Sequence, residues 1–210
     1  MSDGGAGQRS AEGEGRPREA NDRDPALLHR QEIHRGRLLR LTVDTAHLPD
    51  GSVGQFELVH HAGASAVLPV FGRLDDPDPD ILLIEQYRHA TGGYIYEVPG
   101  GTPSHGDEPW DDVARRELEE ETGWRAGRLI PLTWIWTTPG FTTERIYLWL
   151  ATDLRRGASN LDEDEFVEVV RIPLSRALQW VEEGRIVDAK SIVTLLFACR
   201  FMLRANARTE

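Results

Sequence analysis

The residues that point most directly to chemistry lie in Arg115-Arg116-Glu117-Leu118-Glu119-Glu120-Glu121-Thr122-Gly123. In a helix advancing ~100° per residue, Glu117, Glu120 and Glu121 fall on one face, within an arc of about 100°. Three carboxylates so close repel each other and disfavour the isolated helix. A divalent cation converts that repulsion into ligation, because hard oxygen donors suit Mg²⁺. Mg²⁺ keeps waters and bridges substrate phosphates, so the pattern implies a phosphate-bearing ligand rather than a closed structural cage. A glutamate run taken alone is more often a solvated helix face, and Glu119 reads that way. The surroundings shift the balance. A Gly100-Gly101 turn and a loop of small and polar residues come first, then Asp107-Glu108-Pro109 at the helix start and Gly123 at its end.

The elements that must hold this helix follow from the patterning on either side. Leu39 to Val43 alternates, Asp50-Gly51 is a strong turn dipeptide, and Gln55 to Val59 follows. This predicts a small antiparallel strand unit over residues 26–62, ahead of a main domain over 63–205. In that domain Ala64 to Phe71, Ile81 to Gln86 and Tyr94 to Val98 read as strands. The acidic run Asp75 to Asp80 reads as a solvated loop, lacking the spaced ligands and glycine of a calcium site. A helix is predicted from about Pro109 to Thr122, and strands over Leu129 to Trp136, Arg145 to Ala151 and Phe166 to Ile172. Helices follow over Ser175 to Glu183, with Ser175 as N-cap, and from Lys190 to about Arg204. There is no internal repeat. The sum is an α+β fold with a mixed sheet covered by helices.

Composition limits the partners. The chain has 210 residues, 40% of them hydrophobic, enough for one domain with a core plus appendages. A formal charge of −11 argues against nucleic acid or an anionic membrane as the main partner, since both are polyanions. A basic cleft for a phosphate substrate stays compatible with it. Residues 1–25, rich in Gly and mixed charge, read as a flexible tail. No stretch there resembles a signal peptide, and no apolar segment is long enough to span a bilayer, so a soluble cytoplasmic protein is expected. Cys199 is the single cysteine, which excludes an intrachain disulfide; its apolar helical surroundings make it a buried packing residue. His60 and His61 have no metal-ligand spacing with another His or Cys.

The stretch from Gly101 to Trp124 resembles the Nudix box: a glycine, five residues, Glu, seven residues, Arg-Glu, an aliphatic, any residue, Glu-Glu, any residue, Gly and an apolar residue. Glu108, Arg116, Glu117, Leu118, Glu120, Glu121, Gly123 and Trp124 stand in register. The departure is at the front, where six residues separate Gly101 from Glu108. The resemblance implies a Nudix α/β/α sandwich preceded by the antiparallel unit. It also implies metal ligation by Glu117 and Glu121, with Glu120 close to the same ions and the Gly100 carbonyl as backbone ligand. Two or more Mg²⁺ are implied, with Mn²⁺ able to substitute. Arg116 would orient a carboxylate and Glu108 anchor the loop, although both could be purely structural.

Further segments resemble the ADP-ribose and nucleoside-diphosphate-sugar pyrophosphatase branch. They are Gln86-Tyr87-Arg88-His89, Tyr96-Glu97-Val98-Pro99-Gly100-Gly101, and Pro139, sixteen positions after Gly123, within Pro139 to Glu144. The leading strands are similar to those that help form a dimer and shape the nucleoside site in that branch, so a homodimer is implied. Arg88, after a buried strand, could grip a diphosphate bidentately or form a surface ion pair. Lys190 could reach a phosphate or sugar, or be a helix-start surface lysine. Glu144, on a glycine-containing loop, could be a metal ligand, a water-activating base or a solvated loop residue. The general base lies between Glu144 and Glu120, and the branch resemblance favours Glu144. Trp110, Trp134, Trp136 and Phe56 could stack on a base, although aromatic residues at strand spacing more often fill cores. The expected reaction is Mg²⁺-dependent hydrolysis of a nucleoside diphosphate sugar, ADP-ribose to AMP and ribose 5-phosphate. The alternatives are GDP-mannose or another sugar nucleotide, or a catalytically silent nucleotide sensor, against which Glu117, Glu120 and Glu121 all being present weighs.

Overall fold

Three strands, β1 (Leu27–Arg35), β2 (Leu39–His47) and β3 (Val53–His61), form an antiparallel sheet of their own. The computed structural model describes residues 26–158, 160 and 166–203, so the segment read as a tail lies outside the described residues. The Asp50-Gly51 turn forms as expected, with Gly51 at φ 85 and Asp50 accepting the Ser52 N–H at 2.9 Å. β1 was not legible as a strand. It is an edge strand whose Leu28 and Ile33 are exposed, so it lacks the alternation that burial imposes. Long-range partners hold it instead. Arg30 binds the buried Asp44 of β2 through two hydrogen bonds of 2.8 and 2.6 Å.

The chain continues with β4 (Ala64–Pro69), β5 (Asp80–Arg88), β6 (Gly93–Glu97), β7 (Gly100–Gly101) and α1 (Trp110–Thr122). After it come β8 (Trp124–Arg125), β9 (Arg128–Trp136), β10 (Arg145–Thr152), β11 (Arg155–Arg156), β12 (Val167–Pro173), α2 (Leu174–Glu182) and α3 (Ala189–Phe197). A mixed sheet runs β7-β4-β10-β9, with β4 and β10 parallel; a second, antiparallel sheet runs β12-β5-β6. β4 organises the layers through its period of two. Ala66 and Leu68 join a core with Leu174, Ala177, Trp180 and Leu195 of α2 and α3. Val67, pointing the other way, packs with Ala114 and Leu118 of α1 and with Ala151. The helices therefore cover both faces of the mixed sheet, the sandwich expected from the box.

Local chemistry sets the helix ends. α1 stops at Gly123, whose φ of 69 is left-handed and whose N–H bonds the Glu119 carbonyl. Asp111 and Asp112 in its first turn suit the helix dipole. Ser175 is not the N-cap of α2: that position is Pro173, which has no side-chain acceptor. Asp78 supplies the cap from the acidic loop instead, taking the Ser175 N–H at 2.8 Å and its hydroxyl at 2.7 Å. The loop read as merely solvated thus docks α2. α3 is capped by Asp188, and it ends at Phe197, short of Arg204, passing into a wider π turn over Ala198–Leu203 where Cys199 is half-buried.

Candidate active site

β7 is only two glycines long, and both are required by what they touch. It pairs with β4, and a Cβ on Gly100 would collide with the Ser65 carbonyl and the Ala66 backbone. A Cβ on Gly101 would fall into the Glu117 carboxylate. The Gly100 N–H donates to Glu121 Oε2 at 2.8 Å. Two carboxylates from successive turns of α1 are therefore drawn onto one glycine corner. Both are buried, Glu121 at 2% and Glu117 at 8% relative exposure, and such burial of charge asks for a counter-charge.

Arg116 supplies one. Its Nη1 donates to Glu117 Oε1 at 2.7 Å and to Glu120 Oε2 at 2.9 Å. Its Nε donates to Glu108 Oε1 at 3.0 Å, and its Nη2 to the Thr102 carbonyl at 2.8 Å. Burial opposes the Arg116 charge, but the Glu108 hydrogen bond and the Glu117 charge outweigh it and push its pKa up. Arg116 in turn holds the Glu108 carboxyl below its ordinary range. Glu108 also takes the Ser104 N–H at 2.6 Å. The additional residue of the loop falls between these clamps, where Ser104 to Asp107 are exposed.

Among the described residues, no three carboxylate, imidazole or thiol groups already stand at metal-ligand spacing. Glu117 and Glu120 are held on Arg116, and Glu121 is turned to the Gly100 N–H. The donor set nonetheless suits a hard divalent cation, being composed of glutamate oxygens and a backbone carbonyl at one corner.

Beside this corner the two residues expected to bind substrate meet. Arg88, at the end of β5, donates from Nε and Nη2 to the two oxygens of Glu97 at 2.7 and 2.8 Å. Lys190, at the start of α3, donates to Glu97 Oε2 and to Asp188 Oδ2, the latter at 3.0 Å. Burial pushes the Glu97 carboxyl up, but the Arg88 hydrogen bonds and the Lys190 charge prevail and leave it below its usual range. Glu97 was not singled out from sequence. The available signal was a carboxylate at the end of the otherwise uncharged strand Gly93–Glu97.

Glu144 sits elsewhere. Its Oε2 accepts from the Thr137 hydroxyl at 2.9 Å, and its Oε1 lies 3.4 Å from His61 Nδ1. The Gly63 N–H also points at that nitrogen, at 3.1 Å. The loop carrying Glu144 is stitched to β3 by Val59 N–H to the Phe141 carbonyl at 2.7 Å and Thr143 N–H to the Val59 carbonyl at 3.0 Å. His61 thus belongs to the surroundings of Glu144, although spacing gave it no role. Of the aromatic candidates, Trp110 is stacked on Tyr147 with centroids 4.5 Å apart, and Trp134 packs edge-on to Trp136. Phe56 and Trp136 stay partly exposed.

The NUDIX domain model matches residues 60–194, well over half of the chain. The chain belongs to the Nudix family. It is 37% identical over 172 residues to an ADP-ribose pyrophosphatase of Bacillus subtilis (strain 168), covering 81% of this chain and 90% of that protein. It is also 37% identical over 169 residues to a methanol dehydrogenase activator of Bacillus methanolicus, covering 80% and 88%. A GDP-mannose pyrophosphatase of Yersinia enterocolitica serotype O:8 / biotype 1B (strain NCTC 13174 / 8081) is 31% identical over 171 residues, covering 77% and 87%. The fold is similar to a crystal structure described as an ADP compounds hydrolase, with TM-score 0.70 and 24% identity, covering 82% of this chain and 91% of that one. Nudix hydrolases generally use divalent metal ions, in keeping with the oxygen donors of α1. Among the described residues, no helix is long and apolar enough to cross a membrane.

Proposed function

We propose that this Nudix protein hydrolyses the diphosphate bond of a nucleoside diphosphate sugar, with ADP-ribose as the leading substrate and AMP and ribose 5-phosphate as products. The observation that carries the proposal is the pair of buried carboxylates, Glu117 and Glu121, gathered on Gly100-Gly101 beside Arg88 and Lys190. Relatives named ADP-ribose pyrophosphatase support the substrate class.

Glu117, Glu121, Glu120 and the Gly100 carbonyl would hold two or more Mg²⁺, or Mn²⁺ in their place, which when bound neutralise phosphate oxygens and lower the pKa of water. Arg116 holds the Glu117 and Glu120 carboxylates together and aligned. Arg88 and Lys190 bind the diphosphate and the adjoining sugar through N–H donors left over from Glu97 and Asp188. A water oxygen bonds to one phosphorus as the bridging P–O bond breaks, and the water proton passes to a carboxylate. Glu144 is the favoured acceptor, reaching the reacting water when its loop moves from β3 toward α1; Glu120 is the alternative.

The test is a panel of sugar nucleotides assayed by phosphatase-coupled phosphate release, with and without Mg²⁺. Metal-dependent turnover is expected, ADP-ribose leading. Turnover of none would favour a nucleotide sensor. GDP-mannose is the second reading, because relatives carrying that activity in their names cover most of the chain. In the Glu121→Gln variant turnover should fall by about 10²-fold or more, since metal charge stabilisation is worth several kcal/mol and ~1.4 kcal/mol is tenfold. Wild-type turnover in a folded Glu121→Gln protein would sink the ligand assignment.

The protein would act in the cytoplasm on small molecules, with no nucleic acid or membrane partner. It would do so as a homodimer joined through the β1–β3 sheet, where Leu28, Ile33, Val53 and Phe56 are exposed. Light scattering that returns a clean monomer would remove the dimer.

A further inference from the structure

Glu97 has no place among the proposed metal ligands, yet its side chain is only 2% exposed. An apolar side chain would fill that volume without the desolvation penalty of a carboxylate. What Glu97 does is join two cations from distant parts of the chain: Arg88, nine residues before it, and Lys190, 93 residues after it. The two hydrogen bonds from Arg88 run side-on, through Nε and Nη2, which fixes the plane of the guanidinium. Of the five donors of an arginine, three remain, and both Nη1 donors point away from Glu97. Lys190 spends donors on Glu97 and Asp188 and keeps its third. Arg88 also lies within the field of the Glu121 carboxylate.

The same residue is tied to that corner along the chain. Val98, next after Glu97, donates its N–H to Ser191 Oγ at 2.8 Å, and Ser191 is itself held by the α3 cap Asp188. Two residues later the Gly100 N–H holds Glu121. β5, the β6–β7 corner, the α3 start and α1 are thereby locked in one hydrogen-bonded chain, with Glu97 at its centre.

We propose that Glu97 is the positioning residue of the diphosphate grip: it sets Arg88 and Lys190 against each other so that their remaining donors converge on the substrate. Arg88 and Lys190 balance Glu97 and Asp188 in charge, so the grip works by directed N–H bonds more than by net positive potential. The proposal rests on the reading that Arg88 and Lys190 bind the nucleoside diphosphate sugar.

The test compares kcat and KM for ADP-ribose in the wild type, Glu97→Gln, Arg88→Ala and the double variant, with thermal melts to verify folding. Glu97→Gln should lose tenfold or more in kcat/KM, chiefly through KM. In the Arg88→Ala background the same change should add clearly less than it does alone, because one of the two residues through which Glu97 acts is gone. Losses that multiply in the double variant, or a Glu97→Gln protein with wild-type KM beside an impaired Arg88→Ala, would overturn the positioning role. A wild-type kcat/KM in Arg88→Ala, or no turnover of any sugar nucleotide by the wild type, would instead overturn the underlying reading. Should Glu97→Gln not fold, Glu97→Gln/Lys190→Met against Lys190→Met makes the same comparison with the lost carboxylate matched by a lost ammonium.

Discussion

Arg116 donates to three carboxylates and one carbonyl, and it can do so only because a guanidinium is a planar fork. A lysine would keep the charge and lose the geometry. Arg116→Lys should therefore lower kcat/KM by roughly tenfold or more, each hydrogen bond to a charged group being worth about 1.5–3 kcal/mol. Steady-state kinetics with ADP-ribose checks this, and an unchanged value would reduce Arg116 to a general counter-charge. At this scale the sequence was readable where residues act within a turn or two. Glu117, Glu120 and Arg116 follow the helical period and are hydrogen-bonded to one another, whereas Glu121, on the same face, turns to the Gly100 N–H. Glu97 was not readable, because its meaning lies in Lys190, which only the folded chain brings to it. Arg88 and Lys190 were picked out separately, but nothing in their spacing showed that they share a carboxylate.

Elements are joined here by side chains borrowed from neighbours, and that limits what local patterning reveals. α2 begins after a proline and takes its cap from Asp78, 97 residues earlier. Ser175 looked like the cap because serine usually is one, and no local pattern could show that a distant aspartate would serve. Asp78→Ala should cost about 0.5–2 kcal/mol of stability, the usual worth of a cap, and leave kcat unchanged. Urea unfolding beside a kinetic assay measures both, and an unaltered midpoint would mean solvent replaces the cap. β1 illustrates the same limit, since an edge strand with exposed apolar residues has no periodic signal to offer. The buried strands β4 and β5 offer a continuous apolar run instead and β10 an alternating one, and the sequence placed all three to within a few residues.

Across the whole molecule, metal and protons should act on stability through different carboxylates. A ligand that binds only the native state at 100 times its Kd adds about 2.7 kcal/mol, so Mg²⁺ should raise Tm over an EDTA-treated sample. Glu121→Gln should lose that rise, and a rise retained in full would place the metal elsewhere. Protons work in the other direction. The folded state holds the Glu97 carboxyl below its ordinary value, so its contribution is present above that value and is lost as pH falls through the depressed one. Glu97→Gln should accordingly flatten the acid limb of a stability–pH curve, which denaturant melts at successive pH values would show. Unchanged steepness would assign the acid sensitivity to other groups, Asp44 with Arg30 among them.

The exposed loop between Thr102 and Glu108 is fixed at both ends by Arg116 and open in between, and nothing lies within 4 Å of where a side chain on Gly106 would begin. It is therefore a segment whose length can drift without dragging the chemistry along, which is how one residue more than the usual count is absorbed. It also offers a practical handle: a fluorophore attached at Gly106 through an introduced thiol would meet no neighbouring atoms and should leave both Arg116 clamps undisturbed.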